Sequence, residues 1–583
     1  VTSLIAAPNR FVALTAPGGA GTILALTAIF FVLVNNLKPS TMRHLLYALI
    51  CSATLAGLVA VYQYLGIGQD LIPTERAPWL ANKLFSPAGS PLALIAILAT
   101  GLSLAIIIFL KELSQEKLLS AVVFGGACVV IAVGLAITSF QLLPGKDTSL
   151  VTLSYPDSWA IGIEAFKQNP LFGVGPGNYP SAFNRFRPVS FNNNEFWNTR
   201  FGNASSYPLE ILTIGGFLVL GSYLFLLGKT LLLGMRVYRR DHKDQLPILI
   251  GLFVVLFLPW LIGSNLIFLA LTFLFLAGLA SLGRQETISF PSKTPGLIAL
   301  GLGLLLVIPA FYFWGRVYAA EIAFRQSLEA LNQNQGLEVY SLQIKAIQLN
   351  PYSPNYRRAY SQTNLGLANS IATQTDLTDQ DRDNISQLVQ QAIREAKIAT
   401  TLNPIDAINW ENLAQIYRNL LNFAQGADQW AIAAYRQAIV TDPINPRLRV
   451  NLGGLFYSLQ DYETALRQFE NAIGLKPDYA NGYYNLAATY REREMYPQAY
   501  QAMQIVVSLI PGDSADYQTA INELNDLAEK LPAQATPSAQ KEPAKPEEAL
   551  TEPEPLPSPI ITPPIELPEE SGPEISPTST PRE

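Results

Sequence analysis

Apolar runs of roughly 17–25 residues, long enough to span ~30 Å of hydrocarbon as helices, fill the first half of the chain. Eight are read, at about 20–37, 44–66, 90–110, 118–142, 208–233, 246–263, 265–283 and 295–315. Gly263, Ser264 and Asn265 form a tight turn between the sixth and seventh. Residues 143–207 are the one long polar interruption. After Gly315 the pattern turns amphipathic. Pro443, Pro477 and Pro511 recur every 34 residues, and the residues between them repeat too. Asn451-Leu452-Gly453 matches Asn485-Leu486-Ala487, Tyr462 matches Tyr496, Ala465 matches Ala499, and Phe469 matches Met503. Weaker copies run back through Asn412-Leu413-Ala414 and Pro404 to Asn364-Leu365-Gly366. Such a period marks stacked helical hairpins that bury small and apolar positions against their neighbours.

The expected fold is therefore all-α. A polytopic membrane domain occupies 1–315, helical repeats occupy 316–531, and a Pro/Glu-rich tail follows from 532. The tail carries fourteen prolines and ten Glu against two Lys and one Arg. It lacks the apolar content to offset chain entropy and is expected to be disordered. Only 14% of residues are charged, against ~25% in typical soluble domains. The tail alone holds −7 of a net −6, so the remainder is close to neutral and offers no basic surface for nucleic acid. Cys51 and Cys128 both sit in apolar runs, which speaks against structural zinc or a disulfide framework.

Orientation follows from basic residues in the short loops. Lys38 and Arg43, Lys111 and Lys117, Arg236, Arg239, Arg240 and Lys243, and Arg284 and Lys293 all fall on one side, read as cytoplasmic. The loops 67–89 and 143–207, the repeats and the N-terminus then lie on the other side. An N-terminus placed there without a cleaved leader suggests that further spans precede Val1.

The candidate chemistry lies in 169–216. Its glycine cluster, Gly173, Gly175 and Gly177, could suggest a phosphate cradle. That reading requires a preceding strand and a following helix. Here a helix-like DSWAIGIEAFKQ precedes and Pro176 interrupts, so a shaped turn back toward the membrane is the better reading. Arg185, Arg187 and Arg200, with Lys167 nearby, offer planar forks for phosphate oxygens. The plainer alternative is a set of solvated loop arginines. Glu210 stands at the mouth of the fifth run, where a carboxylate is costly unless paired and where its pKa can rise toward a useful value. Its alternative is an interfacial residue paired with Arg200. Tyr179, Phe183, Trp197 and Tyr207 suit stacking on sugars, the lipid interface or simple core packing.

The string NPLFGVGPGNY, then FRP, then Leu209-Glu210 opening a helix, resembles the O-antigen ligase and polymerase superfamily over roughly residues 50–280. Gln63-Tyr64-Leu65-Gly66 and the loop Phe85–Ser90 add to the likeness, and the repeats resemble the tetratricopeptide family. The resemblance implies a glycosyltransferase-C-like membrane domain. Such a domain transfers a glycan from an undecaprenyl-diphosphate carrier to an acceptor, without metal, nucleotide or other cofactor. It implies that Arg185, Arg187 and Arg200 hold the diphosphate. Arg200 would also stabilise the leaving group. The family usually carries His-Asn shortly before the Leu-Glu pair, whereas this chain reads Ala204-Ser205-Ser206-Tyr207-Pro208. Its two histidines, His44 and His242, fall in loops read as cytoplasmic. Serine cannot replace imidazole as a base near neutral pH. A carboxylate must take that role, with Glu210 first and Glu195 or Asp157 behind it. Besides the lipid-linked glycan and membrane lipid, the expected partner is a protein held by the repeats, for which Asn412, Asn451 and Asn485 share one repeat position. The competing reading is a non-catalytic membrane scaffold that recruits partners through its repeats. A transporter is disfavoured, because the spans carry few internal charges.

Overall fold

The computed structural model describes residues 7–66, 85–143, 145–146, 151–239, 245–263, 265–281, 294–421 and 423–531. The tail from 532, Ser264, His242 and several of the basic loop residues lie outside them. Among the described residues all regular structure is helical.

The membrane half opens with a short α1 (Arg10–Thr15), followed by α2 (Ala20–Asn36), α3 (Pro39–Leu65), α4 (Pro91–Ser114) and α5 (Leu118–Gln141). The polar loop contributes α6 (Tyr155–Gln168), α7 (Tyr179–Phe186) and a 3-10 turn, Val189–Asn193. Then come α8 (Tyr207–Arg239), α9 (Leu246–Phe257), α10 (Pro259–Ile262), α11 (Leu266–Ser281) and α12 (Thr294–Asn332). All eight expected apolar runs are helical. Among the described residues six helices are long and apolar enough to cross a membrane, while Leu246–Ile262 and Leu266–Ser281 are shorter. Helices α3, α4, α9 and α11 share one buried apolar core, and α5 packs against α3 and α4. Small residues let these backbones approach, since a Cβ on Gly134 of α5 would stand 2.7 Å from the Cα of Gly57 in α3. That is how helices associate where lipid gives them no hydrophobic reason to do so.

Helix α12 runs unbroken from the last apolar run into the first repeat, with Pro309 and Gly315 inside it. Its apolar half is exposed apart from a close approach of Trp314 to Gly21 of α2. Its second half pairs with α13 (Gly336–Leu349). The hairpins α14 (Pro354–Ala372) with α15 (Asp379–Leu402), α16 (Ala407–Asn419) with α17 (Ala427–Thr441), α18 (Pro446–Ser458) with α19 (Tyr462–Leu475), and α20 (Ala480–Glu492) with α21 (Tyr496–Leu509) follow. Helix α22 (Ala515–Glu529) closes the stack.

One repeat position matters below. The second helix of each hairpin ends on the residue before a proline: Asn350, Asn403, Asp442, Lys476 and Ile510. Each of these caps donates its N–H to the carbonyl four residues back, and the first four are buried. Two of the five therefore place a charge where a solenoid normally keeps none.

Candidate functional site

Helix α8 is broken. Gly216 takes φ 61° and ψ −159° inside it, so the carbonyls before the break and the amides after it lose their helical partners. The loop segment 170–175 supplies replacements. Val174 and Gly175 donate N–H to the carbonyls of Thr213 and Ile214, at 3.0 and 2.9 Å. Phe217 and Leu218 donate to the carbonyls of Pro170 and Leu171, at 2.8 and 3.3 Å. Irregular backbone at membrane depth persists only where protein satisfies it in this way. The glycines follow from the closeness of the two backbones. A Cβ on Gly173 would stand 2.4 Å from the Thr213 oxygen, and one on Gly216 2.7 Å from the Pro170 oxygen. Gly175 and Gly177 press against Ala7 and Ala16, on either side of α1. The cluster is thus a joint between loop and membrane helix.

Beside this joint lies a cavity of about 620 Å³, walled by the turn before α2, the start of α2, the glycine loop, the head of α8 and the start of α11. Its lining includes the polar residues Glu210, Asn203, Asn265 and Tyr207 and the apolar residues Ile23, Leu24, Val219, Leu266 and Leu269. Tyr179 also lines it, its phenol pKa pushed up by burial and by the Glu210 and Asp157 charges. Ser205 donates its N–H to Ser158 Oγ, and its hydroxyl is buried without a partner among the described residues. Asp157 and Glu195 line a second cavity of about 430 Å³ with Phe191, Phe196 and Phe201, and Asp157 accepts a 2.6 Å bond from the Ser154 hydroxyl. Phe183 is buried among aromatic rings, and Lys167 pairs with Glu164.

Among the described residues the three arginines do not line the cavity of Glu210. Arg187 faces the solenoid and pairs with Asp442 at 2.7 Å, with side chains 4% and 0% exposed. Burial pushes its guanidinium pKa down, and Asp442 opposes that fall. Arg200 reaches the same carboxylate at 3.7 Å and Glu411 of α16 at 3.5 Å. Arg185 ends α7, with its pKa lowered by burial and its guanidinium over the Phe186 ring. The rest of the loop is fastened to the same row of repeat turns. Asn192 donates to the carbonyls of Ile444 and Leu475, Lys476 donates to the Asn192 carbonyl, and Trp197 packs edge-on against Tyr479 beneath the Lys476 ammonium. Asp442 and Lys476 are two of the five cap residues, and each meets a loop group of matching polarity. Glu411, Asp442, Arg447 and Lys476 escaped the reading of the sequence. For Asp442 and Lys476 the signal available was a charge just before a repeat proline, while Glu411 and Arg447 carried none.

Among the repeat asparagines, Asn412 is buried and donates to Ser361, and Asn485 bonds Asn481. Neither side-chain amide is simply open to a peptide.

The fold so defined is a helical membrane domain joined to a solenoid. Residues 87–224 match the family described as O-antigen ligase, and 453–492 match the TPR repeat. The two matches agree with the architecture that the motifs suggested. No curated protein matches it. Similar solved structures include a thermophilic TPR protein of Thermus thermophilus, with 16% identity, TM-score 0.27, and 36% of this chain and 100% of that one covered. PilF of Pseudomonas aeruginosa is similar at 17% identity and TM-score 0.28, over 37% and 87%. MamA from Desulfovibrio magneticus is similar at 13% and 0.27, over 33% and 94%.

Proposed function

We propose that the protein is a membrane glycan ligase or polymerase that transfers a glycan from an undecaprenyl-diphosphate carrier to an acceptor hydroxyl. Transfer takes place on the extracytoplasmic side, where the loop and solenoid stand. The observation that carries this reading is the cavity at Glu210, a residue inside the stretch that matches O-antigen ligase, which combines polar and apolar lining. Its apolar residues suit an isoprenyl chain and its polar residues suit the reacting head. The acceptor oxygen attacks the anomeric carbon, Glu210 takes its proton, and the bond to the diphosphate breaks. Arg200, two residues from the rim residue Gly202, neutralises the leaving group, with Arg185 as the second cation. Arg187 is held in its buried pair and acts through the loop. The solenoid contributes a protein-binding surface.

A second reading, a non-catalytic scaffold, is favoured by one observation: Arg187 and Arg200 are engaged by solenoid carboxylates. Transfer from a lipid-diphosphate-linked glycan by the purified full-length protein separates the two. The expected result is transfer by the wild type and a fall of ~10²–10⁴-fold in Glu210→Gln, the range of one general base. Equal rates in Glu210→Gln remove Glu210 from the chemistry. No transfer by folded wild type with any donor leaves the scaffold.

A further inference from the structure

Around Arg200 four guanidinium groups face three carboxylates. Arg187 is matched to Asp442 in full burial. Arg447 of α18 places its terminal nitrogen 3.1 and 3.2 Å from the two oxygens of Glu411. Arg358 of α14 bonds Asn409 at 3.1 Å and reaches Asp406 only at 4.0 Å. Burial lowers the Arg358 pKa, Asp406 opposes this, and the nearby Arg200 charge adds to the fall. Arg200 itself is 24% exposed and makes the longest contacts of the loop with the solenoid carboxylates. One oxygen, Glu411 Oε2, is shared by Arg200 of the loop and Arg447 of the solenoid. A phosphate oxygen takes the same place between two arginines.

We propose that the junction of loop and solenoid is a diphosphate site built from Arg200, Arg358 and Arg447. The chain's own Glu411 occupies it until a diphosphate-bearing ligand displaces that carboxylate. The solenoid then supplies two of the three cations as well as the resident competitor. Asp442 stays neutralised by Arg187, so displacing Glu411 leaves a net positive pocket at the junction, two residues along the chain from Gly202 of the Glu210 cavity. This inference rests on reading Arg200 as an anion contact, as in the proposed function.

The test is titration of inorganic diphosphate into the full-length protein in neutral-lipid nanodiscs. Glu411→Gln is expected to bind about tenfold more tightly than wild type, and Arg447→Gln about tenfold more weakly, each near 1.4 kcal/mol. Unchanged or weaker binding in a folded Glu411→Gln protein overturns the inference. If Glu411→Gln does not fold, Glu411→Asp, which shortens the carboxylate and keeps its charge, must still bind more tightly than wild type; if it does not, the inference falls. An Arg200→Gln protein that binds like wild type instead overturns the reading of Arg200 as an anion contact.

Discussion

The polar loop is held on two sides by different physics. Toward the membrane it meets the break in α8 by backbone, through four N–H···O bonds between segments too close for a Cβ, while the Tyr155 hydroxyl bonds the Trp260 and Leu261 carbonyls. Toward the solenoid it is joined by side chains: a buried Arg187–Asp442 pair, the bonds of Asn192, and the Lys476–Trp197–Tyr479 stack. A backbone joint requires glycine and tolerates nothing else at those positions. A side-chain joint requires matched partners and tolerates replacement of both together.

Substitution should expose that difference. The largest effect is expected in the backbone joint. Gly216→Val adds a Cβ against Pro170 and Leu171 at a φ that branched residues avoid, and should destabilise by about 3 kcal/mol or more. Thermal unfolding of the purified protein measures it, and a normal melting temperature would remove the joint's dependence on glycine. Next is the buried pair. Asp442→Ala strands a guanidinium in the interior and should lower stability by ~3–5 kcal/mol, whereas Asp442→Leu combined with Arg187→Met should recover most of it. Recovery is read from the melting temperature and from amide exchange of the loop–solenoid contacts; a double variant as weak as the single one would end the contrast. The smallest effect belongs to an acidic group that caps a helix and holds nothing across the junction. Asp461 accepts from the Thr464 side chain and from the Thr464 N–H, and these bonds, the side-chain one first, depress its pKa. Its contribution is therefore present above the unfolded carboxylate value near 3.8 and fades as pH falls through the lower folded value. Stability against pH should flatten in Asp461→Asn, which keeps the cap without the titration. An unchanged acid slope would assign the effect to other carboxylates.

The same contrast explains what could be read without a structure. The apolar runs and the 34-residue period are local patterns, and both produced helices where expected. The glycines of 173–177 were also legible as a shaped turn, because a glycine states a backbone requirement on its own. Their partner, the break at Gly216, was not, since Gly215-Gly216 inside an apolar run reads equally well as ordinary helix packing. The arginines show the limit. Arg187 and Arg200 advertise an anion, but the sequence does not say which. Asp442 and Glu411, over two hundred residues away, take that place in the fold. The solenoid also buries Asn412, which pattern alone had offered as a ligand contact.

The joint at Gly216 also constrains the order of biogenesis. Residues 170–175 leave the ribosome before α8, and in the proposed topology they cross the bilayer and return to its edge before the break has partners. Until then two carbonyls and two amides stand unpaired in an apolar segment, at several kcal/mol for each group left in hydrocarbon. Helix α8 therefore cannot settle at its final depth ahead of the loop. In that topology, translocation of the polar segment is a checkpoint for integrating α8, and a loop delayed in crossing leaves a strained helix exposed to membrane quality control.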